Sequence, residues 1–285
     1  MQGLKKMSIR FAYLIMAQSL VIMLAMSSLA AGVDVGPGTS SEENLMWKFV
    51  QAEDAVNANL TKIDLALAKA SLELSKTGLA GDGAQDILRN LTRADPSAID
   101  CITVGSNGTI LEVVPEEYGY IRGEEIGQQE HIKHLFSTKR PVGLAYIKTV
   151  EGFDAMDFEA PVFDQDGCLI GATSVLINST QFFGDVLQPY QPVSGAKIWA
   201  LQPDGLVLYD TDLTQIGQNT FKSPIFQQFP DLLAIAKRVE LDRSGYGTYE
   251  FFNEDHSAKA KKAIYWTTIG YQGSEMRLAL SMELE

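Results

Sequence analysis

Two histidines stand three residues apart in the run Glu130-His131-Ile132-Lys133-His134, inside a stretch with a helical pattern. At i and i+3 they share one helix face, and two imidazoles so placed can ligate a metal ion. The same histidines can instead line a polar ligand pocket or sit on a plain helix surface, and the spacing leaves all three readings open. The third histidine, His256, lies far along the chain. No catalytic signature is present. Gly105-Ser106-Asn107-Gly108 sits between two strand-like runs and reads as a hairpin turn, with no Gly-x-Ser-x-Gly elbow. The glycines from Gly78 to Gly83 follow no strand and precede no Lys-Ser or Lys-Thr, so they do not cradle phosphate. Asp164-Gln165-Asp166-Gly167 begins like a calcium loop, lacks the later glutamate, and reads as a β-turn. No pair of carboxylates is spaced as a general acid and base. The expectation is a binding protein that is not an enzyme and needs no cofactor.

The elements that position these residues sit in an acidic chain. Its 285 residues carry 23 basic and 36 acidic side chains, a formal net charge of −13. Residues 1–30 hold Lys5, Lys6 and Arg10 and no acid, so the remainder has 20 bases against 36 acids, a net −16. Such a body lacks the footprint of a nucleic-acid binder and is repelled by an anionic membrane surface. From Phe11 to Ala31 no residue is charged. A basic start and a long apolar run form an export signal, cleaved near Ala30, or an uncleaved membrane anchor. Residues 1–31 are therefore read as signal peptide or anchor, and the rest as extracytoplasmic, secreted or tethered to the cell membrane. Four of eight asparagines lie in Asn-x-Ser/Thr sequons (Asn59, Asn90, Asn107, Asn178), which favours a surface glycoprotein. With only Cys101 and Cys168, the fold is not built on disulfides, and no bridge between them is expected.

Residues 32–40 form a Gly/Pro/Ser linker. From Ser41 to Thr77 apolar or small residues recur at Leu45, Phe49, Ala52, Val56, Leu60, Ile63, Leu67, Ala70 and Leu74. These steps of three and four predict one long helix, able to lie along a two-lobed body or to pair with a second copy as a homodimer. A second helix follows and stops at Pro96, so residues 41–96 are helical in character. The period then becomes that of strands. Ile99–Val104 and Thr109–Val114 flank a turn, a short helix covers about 128–138, and three strands follow near 141–150, 153–163 and 168–177. The same order recurs from Ala196, with strands near 196–201, 206–209, 247–252, 261–267 and 276–282 and helix within 221–239. Ile126-Gly127-Gln128 and Ile216-Gly217-Gln218 are taken as equivalent points of the two copies. The fold class is α+β: a long N-terminal helix, then two five-stranded antiparallel modules at residues 97–180 and 195–285, with residues 181–194 as a linker.

This layout resembles the double Cache family of extracytoplasmic sensors, whose two modules are PAS-like sheets of order 2-1-5-4-3 beside a long helix. The segments GSNGTILEV, IGQQEHIKHLFSTKRPVG and EGFDAMDFEAPVFDQDGCLIGATSVLI carry the likeness in the first module, and ALQPDGLVLYDTD, IGQ and RSGYGTYEFF in the second. The resemblance implies a small organic ligand in the first, membrane-distal module, near Gln129–His134 and strands 142–148 and 153–161. Amino-acid-sensing members carry an Arg-x-Trp-Tyr-like motif before the third strand. Here Gln129, Glu130, His131 and Ile132 hold that place, and Lys148 stands where an Asp follows the strand's aromatic. Both departures imply a pocket of altered polarity. The expected contacts are His131, Tyr146, Phe153 and Asp157, then Glu130 and Arg140, because ligand pockets join apolar walls to a few convergent polar groups. Alternation sets Asp157 opposite Met156 and Phe158, facing either solvent or the pocket. The expected function is sensing or binding, with ligand passed to a membrane receptor partner. The other readings are an adhesive or structural surface protein that uses the modules as scaffold, and a metal binder through His131 and His134.

Overall fold

The computed structural model describes residues 41–149, 154–193, 195–253, 256–271 and 274–284. The compact unit is Leu45–Glu285, entered by the helix that begins at Ser41. The leader, the linker at 32–40 and Phe153 lie outside the described residues.

Helix α1 (Ser41–Thr77) and helix α2 (Asp82–Thr92) open the fold. At 1.5 Å per residue α1 is about 55 Å long. Five strands follow: β1 (Ala98–Gly105), β2 (Ile110–Val114), β3 (Val142–Lys148), β4 (Asp154–Phe163) and β5 (Leu169–Ile177). Helix α3 (Glu130–Thr138) lies between β2 and β3. A second set begins after helix α4 (Ser179–Leu187): β6 (Ala196–Leu201), β7 (Val207–Tyr209), β8 (Gly245–Phe252), β9 (Lys259–Tyr271) and β10 (Ser274–Glu283). Helices α5 (Pro224–Gln227) and α6 (Pro230–Leu241) separate β7 from β8. The sheets have orders β2-β1-β5-β4-β3 and β7-β6-β10-β9-β8, with antiparallel pairs throughout. One order is the other shifted by five strands, so the module is duplicated.

The apolar seam of α1 is spent inside the chain. Phe49, Ala52, Val56, Leu60, Ile63, Leu67, Ala70 and Leu74 are all buried in one cluster. That cluster also takes Met156, Phe158, Val162 and Val175 from the first sheet, and Ile198, Leu208, Ile269, Leu278 and Leu280 from the second. The heptad-like spacing thus serves helix-on-sheet packing, and pairing with a second copy would fall to the outward row that includes Trp47, Leu65 and Leu72.

Two local findings differ from the sequence reading. Residues 181–187, read as linker, are helical: Asn178 caps α4 by accepting from the Gln181 backbone N–H at 3.0 Å, and Phe182, Phe183 and Leu187 are buried. Loss of such a cap costs about 1 kcal/mol. Asn178→Ala is therefore expected to lower stability by about that amount in urea denaturation, with an unchanged m-value. The two Ile-Gly-Gln runs, in turn, are not equivalent. Gly217 N–H donates to Val207 O just as Gly123 N–H donates to Ile110 O, and the Leu206–Asn219 bridge mirrors Thr109–Glu125. Arg122-Gly123-Glu124 is thus the counterpart of Ile216-Gly217-Gln218, and the repeat is real although the motif match is coincidental. Gly127 serves another need, since it packs on the hairpin turn at Gly108, where an added Cβ would meet the Gly127 Cα at 2.4 Å. Both cysteines are free thiols, Cys101 buried and Cys168 exposed.

Candidate functional site

The first sheet has two covered faces. Met156, Phe158, Ala160 and Val162 of β4 point to the core beneath α1. The alternate residues, Asp157 and Glu159, point the other way, toward the loop after β2 and helix α3, where Ile102, Ile110, Ile121, Ile126, Ile132 and Leu135 form a second core. Between that loop and the sheet lies a cavity of about 30 Å³. Its walls are isoleucines and its polar groups are Asp100, Gln129, His131, Thr149, Asp157, Glu159 and Ser174.

Strand register fixes these groups on two adjacent rows. Leu176 of β5 pairs with both Asp100 and Asp157, and Ser174 pairs with Ile102 and Glu159. Asp100 and Asp157 therefore flank one strand, roughly 10 Å apart along the sheet, while Glu159 is the next same-face residue from Asp157. His131 arrives from the first turn of α3, whose Ile132 and Leu135 anchor it in the second core. Its Nε2 lies 3.6 Å from Glu159 Oε1. One donor atom from each of His131, Asp157 and Glu159 falls within 4.8 Å of the others.

The electrostatics are unusual for so dry a place. Asp100 is wholly buried, Asp157 is 4 % exposed and Glu159 2 %. Among the described residues no Lys or Arg lines the cavity. Burial first, then the neighbouring Asp157 charge and the hydrogen bond with it, push the Glu159 carboxyl well above the usual carboxylate range. Burial lowers the His131 imidazole, so His131 and Glu159 meet as neutral groups and not as an ion pair. Glu159 Oε2 and the Thr149 hydroxyl are buried without a hydrogen-bond partner among the described residues.

Of the six residues expected from sequence, the structure brings His131 and Asp157 together at this cavity. Glu130 is exposed and faces Lys133, and Arg140 is exposed at the end of α3. Tyr146 packs against the core beneath α1, outside the cavity lining, because the β3–β4 register slips between Leu144 and Ile147. A one-residue slip exchanges the faces of a strand, so Ile147 takes the place alternation would give Tyr146. His134 is exposed, and the pair His131–His134 does not converge. Sequence reasoning missed Glu159, although strand alternation from Asp157 would have found it, and missed Asp100, Thr149 and Ser174.

A larger cleft, about 490 Å³, opens on the second module beside Lys197, Asp212, His256, Lys262 and Glu283. Its charges are matched within the chain. Lys197 Nζ donates to both oxygens of Asp210 at 2.7 and 2.8 Å, His256 meets Asp212 at 3.0 Å, and Lys262 meets Glu283 at 3.5 Å. Size favours this cleft, but unmet charge favours the first-module cavity, and a ligand is bound for the interactions it completes.

Residues 58–179 match the family model of the HK/GC/chemotaxis protein-like sensor domain. An extracellular ligand binding receptor from Desulfohalobium retbaense is 36 % identical over 82 % of this chain, with a TM-score of 0.69. The chain spans 39 % of that receptor's length. The ligand-binding domain of the Pseudomonas fluorescens chemoreceptor CtaA, in complex with L-serine, shares the fold at 12 % identity and TM-score 0.56 over 81 % of this chain and 92 % of its own. The periplasmic sensory domain of the Campylobacter jejuni chemoreceptor Tlp1 does so at 13 % and 0.58, over 83 % and 91 %. No curated protein matches. Among the described residues no helix is long and apolar enough to cross a membrane.

Proposed function

We propose, for a chain that belongs by fold and by family match to the double Cache-type sensor domains, that it senses a small cationic ligand outside the cytoplasm. The ligand sits in the first-module cavity against His131 and Asp157, is bound without chemical change, and acts through a membrane receptor partner. One observation carries this reading: three buried carboxylates and a neutral imidazole line a cavity with no basic side chain among its described residues. Buried charge is tolerated when it is paired, and here the ligand is the partner.

L-serine in the Pseudomonas fluorescens domain brings a carboxylate as well as an ammonium group. This cavity offers no base to receive a carboxylate, so the ligand proposed here carries positive charge alone. The exposed Glu130 and Arg140 are left at the rim, and Phe153, outside the described residues, keeps its expected role as an aromatic wall. A thermal-shift panel of amines, divalent cations and organic acids tests this. A cation at 100 times its dissociation constant adds about 2.7 kcal/mol to native stability, a rise of roughly 5–10 °C. The rise is expected for cations alone and is expected to vanish in Asp157→Ala. Stabilisation by organic acids and not by cations would overturn the proposal.

A further inference from the structure

We propose that the cation held in the first-module cavity is a divalent transition-metal ion, ligated by His131, Asp157 and Glu159. The inference rests on the reading of that cavity as the ligand site and goes beyond it by naming the donors and the ligand.

Distance is the first argument. Ligand atoms about 2.1 Å from a tetrahedral or octahedral ion stand about 3.0–4.2 Å from one another. The three donors already lie within 4.8 Å, and His131 Nε2 and Glu159 Oε1 at 3.6 Å. Small side-chain rotations complete the set, with Asp157 and Glu159 on one strand face and His131 on a helix anchored by buried neighbours.

Charge is the second. Two positive charges offset the two carboxylates that would touch the ion, where a single ammonium would leave one uncompensated at 2–4 % exposure.

Size is the third. A cavity of about 30 Å³ has room for about two waters, hence for an ion and a coordinated water. An ammonium on a carbon chain would need the sheet face and α3 to separate.

The fourth argument is independent of the acids as a cluster. Glu159 Oε2 and Thr149 Oγ1 both line this cavity, buried and without a hydrogen-bond partner among the described residues. An ion accepts the first oxygen as a donor atom, and its bound water reaches the hydroxyl. One imidazole with two carboxylates and no thiolate suits Zn²⁺, Mn²⁺, Fe²⁺ or Ni²⁺ better than Ca²⁺ or Mg²⁺, which prefer oxygen alone.

The test is calorimetric titration of the chelator-treated full chain with ZnCl₂, NiCl₂ and MnCl₂, with thermal shift in parallel. One ion per chain is expected. His131→Ala, Asp157→Asn and Glu159→Gln are each expected to weaken binding about 100-fold or more, and His134→Ala, on the exposed helix face, to leave it unchanged. Binding that survives His131→Ala, or that is lost with His134→Ala, would falsify the assignment. If no metal binds but a protonated amine stabilises the chain and Asp157→Asn abolishes that, the metal proposal fails and the cation-sensing reading stands. If neither class of cation binds, both fail.

Discussion

Replacing Glu159 with glutamine is expected to make the ligand-free chain more stable at neutral and alkaline pH while removing its response to cations. The sign follows from proton binding. The Glu159 carboxyl sits above its usual 4.5 in the folded chain, because burial and then the adjacent Asp157 charge penalise the ionised form. Between 4.5 and the folded value the native state holds a proton that the unfolded state has lost. Stability contributed by this group is thus fully present at acid pH and falls as pH rises through that window. Glutamine keeps the shape and never ionises. The gap between variant and wild type should therefore widen with pH and level off near 1–3 kcal/mol, about the penalty of an unmet buried polar or charged group. For a chain of this size that is several degrees. His131 works in the opposite direction. Burial lowers it from 6.5, so its contribution is complete above 6.5 and is lost as pH falls through its folded value. Thermal denaturation of both proteins from pH 5 to 8.5 reads the two slopes apart. A glutamine variant that is less stable at pH 8, or that still responds to the same cation, removes Glu159 from the site. A residue that weakens its own fold and that nothing nearby neutralises is one retained for what it binds.

The second large effect belongs to the other module. Asp210 is 1 % exposed, accepts both Lys197 contacts and also accepts from the Asp212 backbone N–H at 2.8 Å. Asp210→Ala leaves the Lys197 ammonium largely buried with no carboxylate, and breaking one partner of such a pair typically costs about 3–5 kcal/mol. A fall in melting temperature of roughly 6–20 °C is expected. Replacing both residues, as Lys197→Met with Asp210→Leu, should recover most of it, since a matched apolar pair has no stranded charge. A double variant as unstable as Asp210→Ala would show instead that the Asp212 backbone contact dominates. First-module cation binding should survive in both, as these residues line only the second module's cavities.

Much of this architecture is written in short-range pattern. The steps from Phe49 to Leu74 name the buried face of α1 residue by residue, and the turn at Ser106-Asn107-Gly108 marks its hairpin. What failed did so for physical reasons. Alternation carried Asp157 to the correct face, but the slip between Leu144 and Ile147 in β3 is a backbone event with no signature in side-chain type, and it took Tyr146 away. Helix α4 was hidden by its brevity and by Gly184, its evidence being a cap and two phenylalanines whose burial only the tertiary structure shows. The Ile-Gly-Gln likeness misled because three residues are too few to separate equivalence from chance. The carboxylate cluster is illegible in principle from one chain, since Asp100 and Glu159 meet only through the intervening strand β5.

The long helix bears on how the molecule comes apart. Because Phe49 to Leu74 share one continuous apolar cluster with residues of both sheets, neither sheet can melt without stripping cover from α1, and thereby from its neighbour. The duplication visible in strand order is therefore a matter of ancestry and geometry, not of energetic independence. The two copies have become a single cooperative unit of unfolding, with the helix as the element whose loss neither survives.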